Sequence, residues 1–201
     1  DGHGKILEVG CGSGALTIRA ALTWPKAKVI GVDYWGAVYN YSKALCEKNA
    51  ASEGVASRCV FQHGDAKQLD FPDESFDVVI SNPPYMNDAH GIKNPGDAKA
   101  IARHEVLCTL DDVVREGTRV LKPGGRFYMV HRPRRLIEIL QTMKQYGLEP
   151  TRMKFVHPYK DREANMVLVE AVRGGKALMK VEAPVIVFDE NGEYSQEIRT
   201  T

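Results

Sequence analysis

The segment KILEVGCGSGA, Lys5–Ala15, decides the fold of this chain of 201 residues. An apolar run, Lys5–Val9, leads directly into three glycines, Gly10, Gly12 and Gly14, and a helical pattern follows them. Glycine lets the backbone turn sharply, and it lets a ligand approach the main chain beside the N–H groups of a helix N-terminus. The segment therefore predicts a strand, a loop that binds a small molecule, and a helix.

Strand and helix patterns alternate along the rest of the chain. Six more strands are predicted, at Lys28–Asp33, Arg58–His63, Phe76–Asn82, Gly125–His131, Arg152–Val156 and Met166–Ala171. Helices are predicted at Ala15–Thr23, Gly36–Ala51, Ala98–Leu107, Leu110–Leu121 and Pro133–Gln145. Almost continuously apolar strands separated by helices predict an α/β fold with a doubly wound, seven-stranded, mostly parallel sheet and helices on both faces. We expect residues 1–173 to form this domain and residues 174–201 to be a C-terminal extension packed on it.

Composition narrows the class of protein. The net charge of +1 does not by itself indicate a nucleic-acid partner. The longest apolar runs are the length of strands, so we expect neither a membrane span nor a secretory signal. The four cysteines lack CxxC spacing and predict neither a disulfide framework nor a zinc site. We therefore expect a cytoplasmic protein with no membrane or metal partner.

Acidic residues stand beside the glycine loop and at the ends of the next two strands. Glu8 precedes the loop, Asp33 ends the second strand, and Asp65 with Ala66 follows the third. A carboxylate at the position of Asp33 can accept both hydroxyls of a ribose, and Asp65 can meet an adenine amino group. The GxGxG spacing differs from the GxGxxG that seats a pyrophosphate, and an acid beside the loop suits a cationic ligand better.

This constellation resembles the class I S-adenosylmethionine-dependent methyltransferases, whose Rossmann-like sheet has an antiparallel last strand. The resemblance implies that the cofactor is S-adenosyl-L-methionine, with Glu8 and the glycine loop at its methionine part. It places Asp33 at the ribose, and Asp65 with Ala66 at the adenine. Cys11 is expected to fill space in the loop, and Tyr34 and Trp35 to pack either along the adenosine or in the core. The predicted cofactor-binding residues are Glu8, Gly10, Cys11, Gly12, Gly14, Asp33, Tyr34, Asp65, Ala66 and Asn82.

The stretch SNPPYM, Ser81–Met86, follows the fourth strand with two prolines, which fix φ and donate no hydrogen bond. The Asn82 amide oxygen and the Pro83 carbonyl can each accept one hydrogen of an exocyclic amine, which turns its lone pair toward a methyl donor. Tyr85 offers a face on which an aromatic base can stack. Asn82-Pro83-Pro84-Tyr85 resembles the motif of methyltransferases that act on adenine N6, cytosine N4, guanine N2 or a glutamine amide. We predict that these four residues form the catalytic loop.

From Asn82 onward the chain resembles one family in particular, the bacterial tRNA1(Val) adenine-N6-methyltransferases. The stretches that carry this resemblance are NPPYM, AIARHE, LKPGGRFYMVHRPRRL, ANMVLVEAVRGGK and APVIVFDENGEYSQEI. The resemblance implies a tRNA substrate whose target adenine is extruded into the pocket. Arg132, Arg134 and Arg135 follow the fifth strand and are predicted to contact RNA. A longer phosphate-binding track is predicted to include Lys154, Lys160, Arg162, Arg173 and Lys176.

The resemblance changes near Ser81-Asn82. Residues 1–81 resemble stand-alone class I methyltransferases of the small-molecule type, and the N-terminal segment of the tRNA family is missing. This change suggests the hypothesis that the chain is an engineered chimera of two half-domains of one fold, a cofactor-binding half (1–81) and a substrate half (82–173). Two alternatives stay open. One is a chimeric scaffold that binds the cofactor without activity, and the other is an amino-methyltransferase for a glutamine amide or another base.

Overall fold

A computed structural model of the chain describes residues 4–36, 40–85 and 108–199. Within these ranges it contains one sheet of nine strands and five α-helices. The strands are β1 (Lys5–Val9), β2 (Lys28–Asp33), β3 (Cys59–His63), β4 (Phe76–Ser81), β5 (Leu121–His131), β6 (Leu148–His157), β7 (Met166–Arg173), β8 (Lys180–Val181) and β9 (Val185–Ile186). The helices are α1 (Ala15–Thr23), α2 (Lys43–Ser52), α3 (Leu110–Val120), α4 (Leu136–Gln145) and α5 (Gln196–Arg199). None of these helices is both long enough and apolar enough to cross a membrane.

The strand order is β3-β2-β1-β4-β5-β7-β6-β8, with β9 paired to β6. Strands β1 to β5 are parallel, and β7 pairs antiparallel with both β5 and β6. The predicted α/β fold, with its mostly parallel sheet and antiparallel last long strand, is therefore confirmed. The predicted number of seven strands is wrong, because the short strands β8 and β9 of the extension add to β6.

Each face of the sheet carries its own apolar core, because successive strand residues point to opposite faces. On one face Leu7, Val79 and Phe127 pack with the buried residues of α3 and α4. On the other face Ile6 and Val78 pack with the buried residues of α1 and α2. Helices therefore lie on both faces, as predicted, and the carboxyl ends of the parallel strands are left together at one edge of the sheet.

Several boundaries differ from the predicted ones. Helix α2 begins at Lys43 rather than Gly36, because Ser42 caps it by accepting a hydrogen bond from the Leu45 N–H. Strand β5 begins at Leu121 rather than Gly125, since Leu121 pairs with Phe76 ahead of an irregularity in the register with β4. The predicted helix Pro133–Gln145 starts with a 3-10 turn, and its α-helical part begins at Leu136. The predicted helix Ala98–Leu107 lies outside the described residues.

Candidate active site

The glycine loop folds tightly against the end of β2. The N–H groups of Gly10 and Cys11 both donate to the Val32 carbonyl, at 2.8 and 3.1 Å, and the Gly14 N–H donates back to the Cys11 carbonyl at 2.7 Å. All three glycines of the loop have positive φ, between +52° and +81°. Such φ values favour glycine over other residues. The loop therefore needs its glycines for its backbone shape, as the spacing predicts.

Asp33 links the glycine loop to the residues that follow β2. Its Oδ2 accepts the Gly12 N–H at 2.7 Å, and its Oδ1 accepts the Trp35 N–H at 2.9 Å. The Trp35 indole N–H in turn donates to the Gly12 carbonyl at 2.8 Å. Each carboxylate oxygen has a second lone pair, so Asp33 can still accept the hydroxyls of a ribose. Trp35 packs against the core under the loop, whereas Tyr34 faces the neighbouring cavity.

Glu8 lies beneath the loop rather than in it. Its side chain is buried, and Oε2 accepts a hydrogen bond from the Thr17 hydroxyl of α1. Burial raises the pKa of Glu8 from 4.5 to about 7. Cys11 is also buried, and burial raises the pKa of its thiol, which fits its predicted role as a filler of space. Neither side chain is among the residues that line the cavity.

A cavity with a volume of about 500 Å³ opens at the carboxyl ends of the strands. Its walls include most of the residues that the sequence singled out: Gly10, Gly12, Asp33, Tyr34, Asp65, Ala66, Asn82, Pro83 and Pro84. Other lining residues were missed, among them Tyr41, Lys67 and Cys108. Lys67 directly follows Asp65-Ala66 and could have been found from that position, whereas nothing in the sequence singles out Tyr41 or Cys108. The cavity therefore joins the cofactor-type residues to the Asn-Pro-Pro loop.

The catalytic-loop candidates begin where β4 ends. The Ser81 hydroxyl donates to the Val9 carbonyl at 3.0 Å and ties β4 to β1 at this edge. Asn82 is exposed and Pro83 is buried, and the Tyr85 hydroxyl donates to Asn82 Oδ1. Tyr85 is not among the residues that line the cavity. Its ring lies 5.2 Å from the His131 ring and 4.9 Å from the Arg132 guanidinium carbon. The loop thus carries an amide and an aromatic ring that are joined by a hydrogen bond.

The predicted RNA-binding arginines occupy three different environments. Arg134 is exposed, and Arg132 is half-buried over Tyr85. Arg135 is buried, and its Nε and Nη2 donate to the two carboxylate oxygens of Glu138 at 2.8 and 2.6 Å. Its Nη1 donates to the Tyr85 carbonyl at 3.4 Å. Arg135 therefore supports the Asn-Pro-Pro-Tyr loop from inside.

The five cations of the predicted phosphate-binding track also differ in their surroundings, and some are paired with acidic residues whereas others are exposed. Lys154 lies 3.7 Å from a Glu182 carboxylate oxygen and 3.8 Å from one of Glu197. Arg173 pairs with Glu74 at 3.1 Å and also donates to a backbone carbonyl. Lys160, Arg162 and Lys176 are exposed. Two of these five cations thus have acidic partners within the protein, and the three exposed ones remain candidates for contact with a polyanion.

A family model and the sequences of curated relatives both identify this chain as similar to methyltransferases. The family model described as "Methyltransferase domain" matches residues 1–181. A tRNA1(Val) (adenine(37)-N6)-methyltransferase of Porphyromonas gingivalis is 26% identical over 199 residues, which cover 95% of this chain and 75% of that protein. The enzyme of the same name from Pedobacter heparinus is 27% identical over 153 residues, 76% of this chain and 62% of that protein. The first of these alignments extends through both halves of the chain, across Ser81-Asn82.

Solved structures show the same fold. A predicted O-methyltransferase from Agrobacterium tumefaciens has a TM-score of 0.70 at 19% identity, over 97% of this chain and 86% of its own. A geranyl diphosphate C-methyltransferase from Streptomyces coelicolor, solved with S-adenosyl-L-homocysteine, has a TM-score of 0.63 at 16% identity, over 86% of this chain and 75% of its own. The strand order, the glycine loop and these matches agree: the chain belongs to the methyltransferase domain family and has the fold of S-adenosylmethionine-dependent methyltransferases.

Proposed function

We propose that this protein transfers a methyl group from S-adenosyl-L-methionine to an exocyclic amine, adenine N6 of a tRNA, in the cytoplasm. The observation that carries the proposal is that one cavity joins the glycine loop, Asp33 and Asp65 to Asn82, Pro83 and Pro84. Methyl transfer requires nitrogen, methyl carbon and sulfur to lie on one line, so donor and acceptor sites must open into one space.

In this proposal the cofactor lies along the carboxyl ends of β1 to β4. Its methionine part meets the glycine loop, its ribose hydroxyls meet Asp33, and its adenine meets Asp65 and Ala66. Glu8 acts on the cofactor only through the loop, because its carboxylate is buried against Thr17. Tyr34 lines the cavity and is 52% exposed, and its ring lies 5.0 Å from the His63 ring, so it can pack along the adenosine.

The amine is held by Asn82 and Pro83. Asn82 Oδ1 and the Pro83 carbonyl each accept one amine hydrogen, which leaves the nitrogen lone pair directed at the methyl group. Asn82 Oδ1 already accepts the Tyr85 hydroxyl, and its second lone pair is available to the substrate. The proton leaves nitrogen after the methyl group has arrived, so the site needs no strong base.

Two observations support a tRNA substrate. The curated relatives named above are enzymes of tRNA1(Val), and they align with 76% to 95% of this chain. Arg134 and Arg162 are exposed, and they follow β5 and β6, whose carboxyl ends lie at the same edge of the sheet as the cavity. Exposed cations beside a substrate cavity attract the phosphates of RNA.

The proposal is tested with Asn82→Ala, measured by transfer of labelled methyl groups to unmodified tRNA and by calorimetry with S-adenosyl-L-homocysteine. We expect methyl transfer to be lost while cofactor affinity stays within about threefold, a difference below about 1 kcal/mol. Asn191→Ala, in an exposed turn of the extension, is the matched control and should retain both properties. Equal loss of transfer and of cofactor affinity in Asn82→Ala would show that Asn82 is structural.

The same assay separates the alternatives. Cofactor binding without transfer to any acceptor would identify a scaffold that binds the cofactor but has no activity. Transfer to a glutamine-containing peptide, and not to tRNA, would identify a protein amide as the substrate. A wild-type protein with no affinity for S-adenosyl-L-methionine at about millimolar concentration would refute the proposal altogether.

A further inference from the structure

Tyr85 is held in place by residues that follow β5. The Arg132 guanidinium carbon lies 4.9 Å from the centroid of the Tyr85 ring, within the distance of a cation–π contact. The fully buried His131 ring lies 5.2 Å from the Tyr85 ring in an edge-on arrangement. Arg135 donates to the Tyr85 carbonyl from inside the fold. Ring and backbone of Tyr85 are thus both in contact with the same short segment.

Arg132 is itself fixed on two sides. Its backbone N–H donates to His131 Nδ1 at 2.8 Å, and its Nη1 donates to the Asn165 carbonyl at 2.8 Å. The Asn165 N–H is bonded to the Val156 carbonyl at the end of β6, so this anchor belongs to the sheet. An arginine whose head group is bound to the backbone and stacked on a ring has little freedom to reach a phosphate. A lysine ammonium can also lie over a ring, as Lys5 does over Phe76 at 5.3 Å. It lacks the planar fork with which the Arg132 guanidinium contacts the Tyr85 ring and the Asn165 carbonyl at the same time.

From this geometry we propose that Arg132 is a positioning residue, which holds the Tyr85 ring in register with Asn82 so that the stacked base presents its amine to the Asn82 oxygen. The inference rests on the proposed function and gives Arg132 a role other than the RNA contact that its basic sequence context predicts. Tyr85 is joined to Asn82 by its hydroxyl, and the Arg132 guanidinium lies over the same ring. Loss of the contact between Arg132 and Tyr85 would therefore displace both the Tyr85 ring, on which the base stacks, and the Asn82 oxygen, which accepts the amine hydrogen.

Arg132→Gln and Arg134→Gln form a matched pair, because they remove the same charge two residues apart. We expect Arg132→Gln to lower kcat about tenfold or more, since small misplacements of reacting groups are costly, while KM for tRNA changes little. Arg134→Gln should instead raise KM for tRNA and weaken its dependence on salt, as the loss of a phosphate contact does. Arg132→Lys should fail to restore kcat. Full activity of Arg132→Lys, or a loss confined to KM with a weaker salt dependence, would overturn the proposal in favour of a phosphate contact.

A second readout does not depend on activity. Burial raises the pKa of Tyr85, and the charge of Arg132 opposes that rise. Tyrosine labelled with ¹³C at Cζ, with the Tyr85 signal assigned from Tyr85→Phe, should therefore show a higher Tyr85 pKa in Arg132→Gln and no change in Arg134→Gln. An unchanged Tyr85 pKa in both variants would overturn the proposal. If the wild type methylates no tRNA, the proposed function fails, while this titration still shows whether the Arg132 charge lies beside the Tyr85 ring, as the geometry has it.

Discussion

Two glycines with the same backbone conformation have very different surroundings. Gly14 in the glycine loop and Gly124 at the start of β5 have φ of +81° and +76°. A Cβ on Gly14 would lie 2.8 Å from the Phe61 ring, whereas a Cβ on Gly124 would meet nothing within 4 Å. Gly14→Ala should therefore lower the free energy of unfolding by about 2 to 5 kcal/mol, the sum of a left-handed backbone and a steric clash.

Gly124→Ala tests the left-handed backbone without a steric clash, and it should lower the free energy of unfolding by only about 1 to 2 kcal/mol. Urea unfolding of the wild type and both variants measures the difference. Equal losses in the two variants would show that Phe61 moves aside and that packing around Gly14 is loose.

At the same scale, sequence predicts some site residues well and others only in part. Asp33 ends β2, Asp65 follows shortly after β3, and Asn82 comes directly after β4. Parallel strands bring such positions to one edge, so their place at the cavity follows from the pattern. The burial of Glu8 and Arg135 does not follow from it. Their partners, Thr17 and Glu138, lie on helices, and only tertiary packing decides which way a charged side chain turns.

Among the elements, α3 has the best-defined start. The Thr109 hydroxyl accepts the Asp112 N–H at 3.1 Å, and the Asp112 carboxylate accepts the Thr109 N–H at 3.0 Å, which forms a capping box. The spacing of Thr109 and Asp112 predicts this pair. Thr109→Ala should lower the free energy of unfolding by about 1 kcal/mol, and Thr109→Ala with Asp112→Ala should cost less than the sum of the two single changes. Denaturation of the four proteins measures the coupling; strictly additive losses would show that the two caps act independently.

Strands β1 to β4 and helix α1 are predictable from sequence here, whereas the start of α2 and the short elements of the extension are predicted poorly. The run Ala183–Phe188 looks strand-like, but only Val185–Ile186 forms β9. Apolar runs predict β1 to β4 within one or two residues, because each run must be buried between two layers of helices. Strands β8 and β9 have two residues each and exist only as additions to the edge of β6. A pattern of two residues carries no periodicity, so pairing with a neighbour is what defines such strands.

For the molecule as a whole, two buried groups impose opposite pH dependences on stability. The pKa of Glu8 is raised to about 7 by burial, so the stabilisation from its neutral form is complete below 4.5 and is lost as pH rises through about 7. The pKa of His131 is lowered to about 4, mainly by burial. Its contribution is complete above the ordinary value of 6.5 and is lost as pH falls through about 4.

Glu8→Gln removes one of these opposing contributions and keeps an oxygen for Thr17. Relative to the wild type, its free energy of unfolding should rise by about 2 to 3 kcal/mol between about pH 5 and about pH 8. Urea unfolding at the two pH values checks this difference, in which the contributions of other groups cancel. A constant difference between variant and wild type would mean that Glu8 is ionised throughout the range.

The two halves of the chain share one sheet. Strand β4 at the end of the first half pairs with β1 on one side and with β5, from the second half, on the other. The hypothesis that two half-domains were joined near Ser81-Asn82 stays a prediction. In such a protein the join would lie beside the cavity, so catalysis would be more sensitive to it than cofactor binding.

The position of β7 has a consequence for the chain during synthesis. Strand β7 is made after β6, yet it lies between β5 and β6. Until Arg173 has left the ribosome, β5 and β6 each present a row of unpaired backbone groups, which invites pairing with another nascent chain. Translation that pauses before this point leaves the polypeptide most vulnerable to aggregation, and chaperones that shield strand edges should act in that interval.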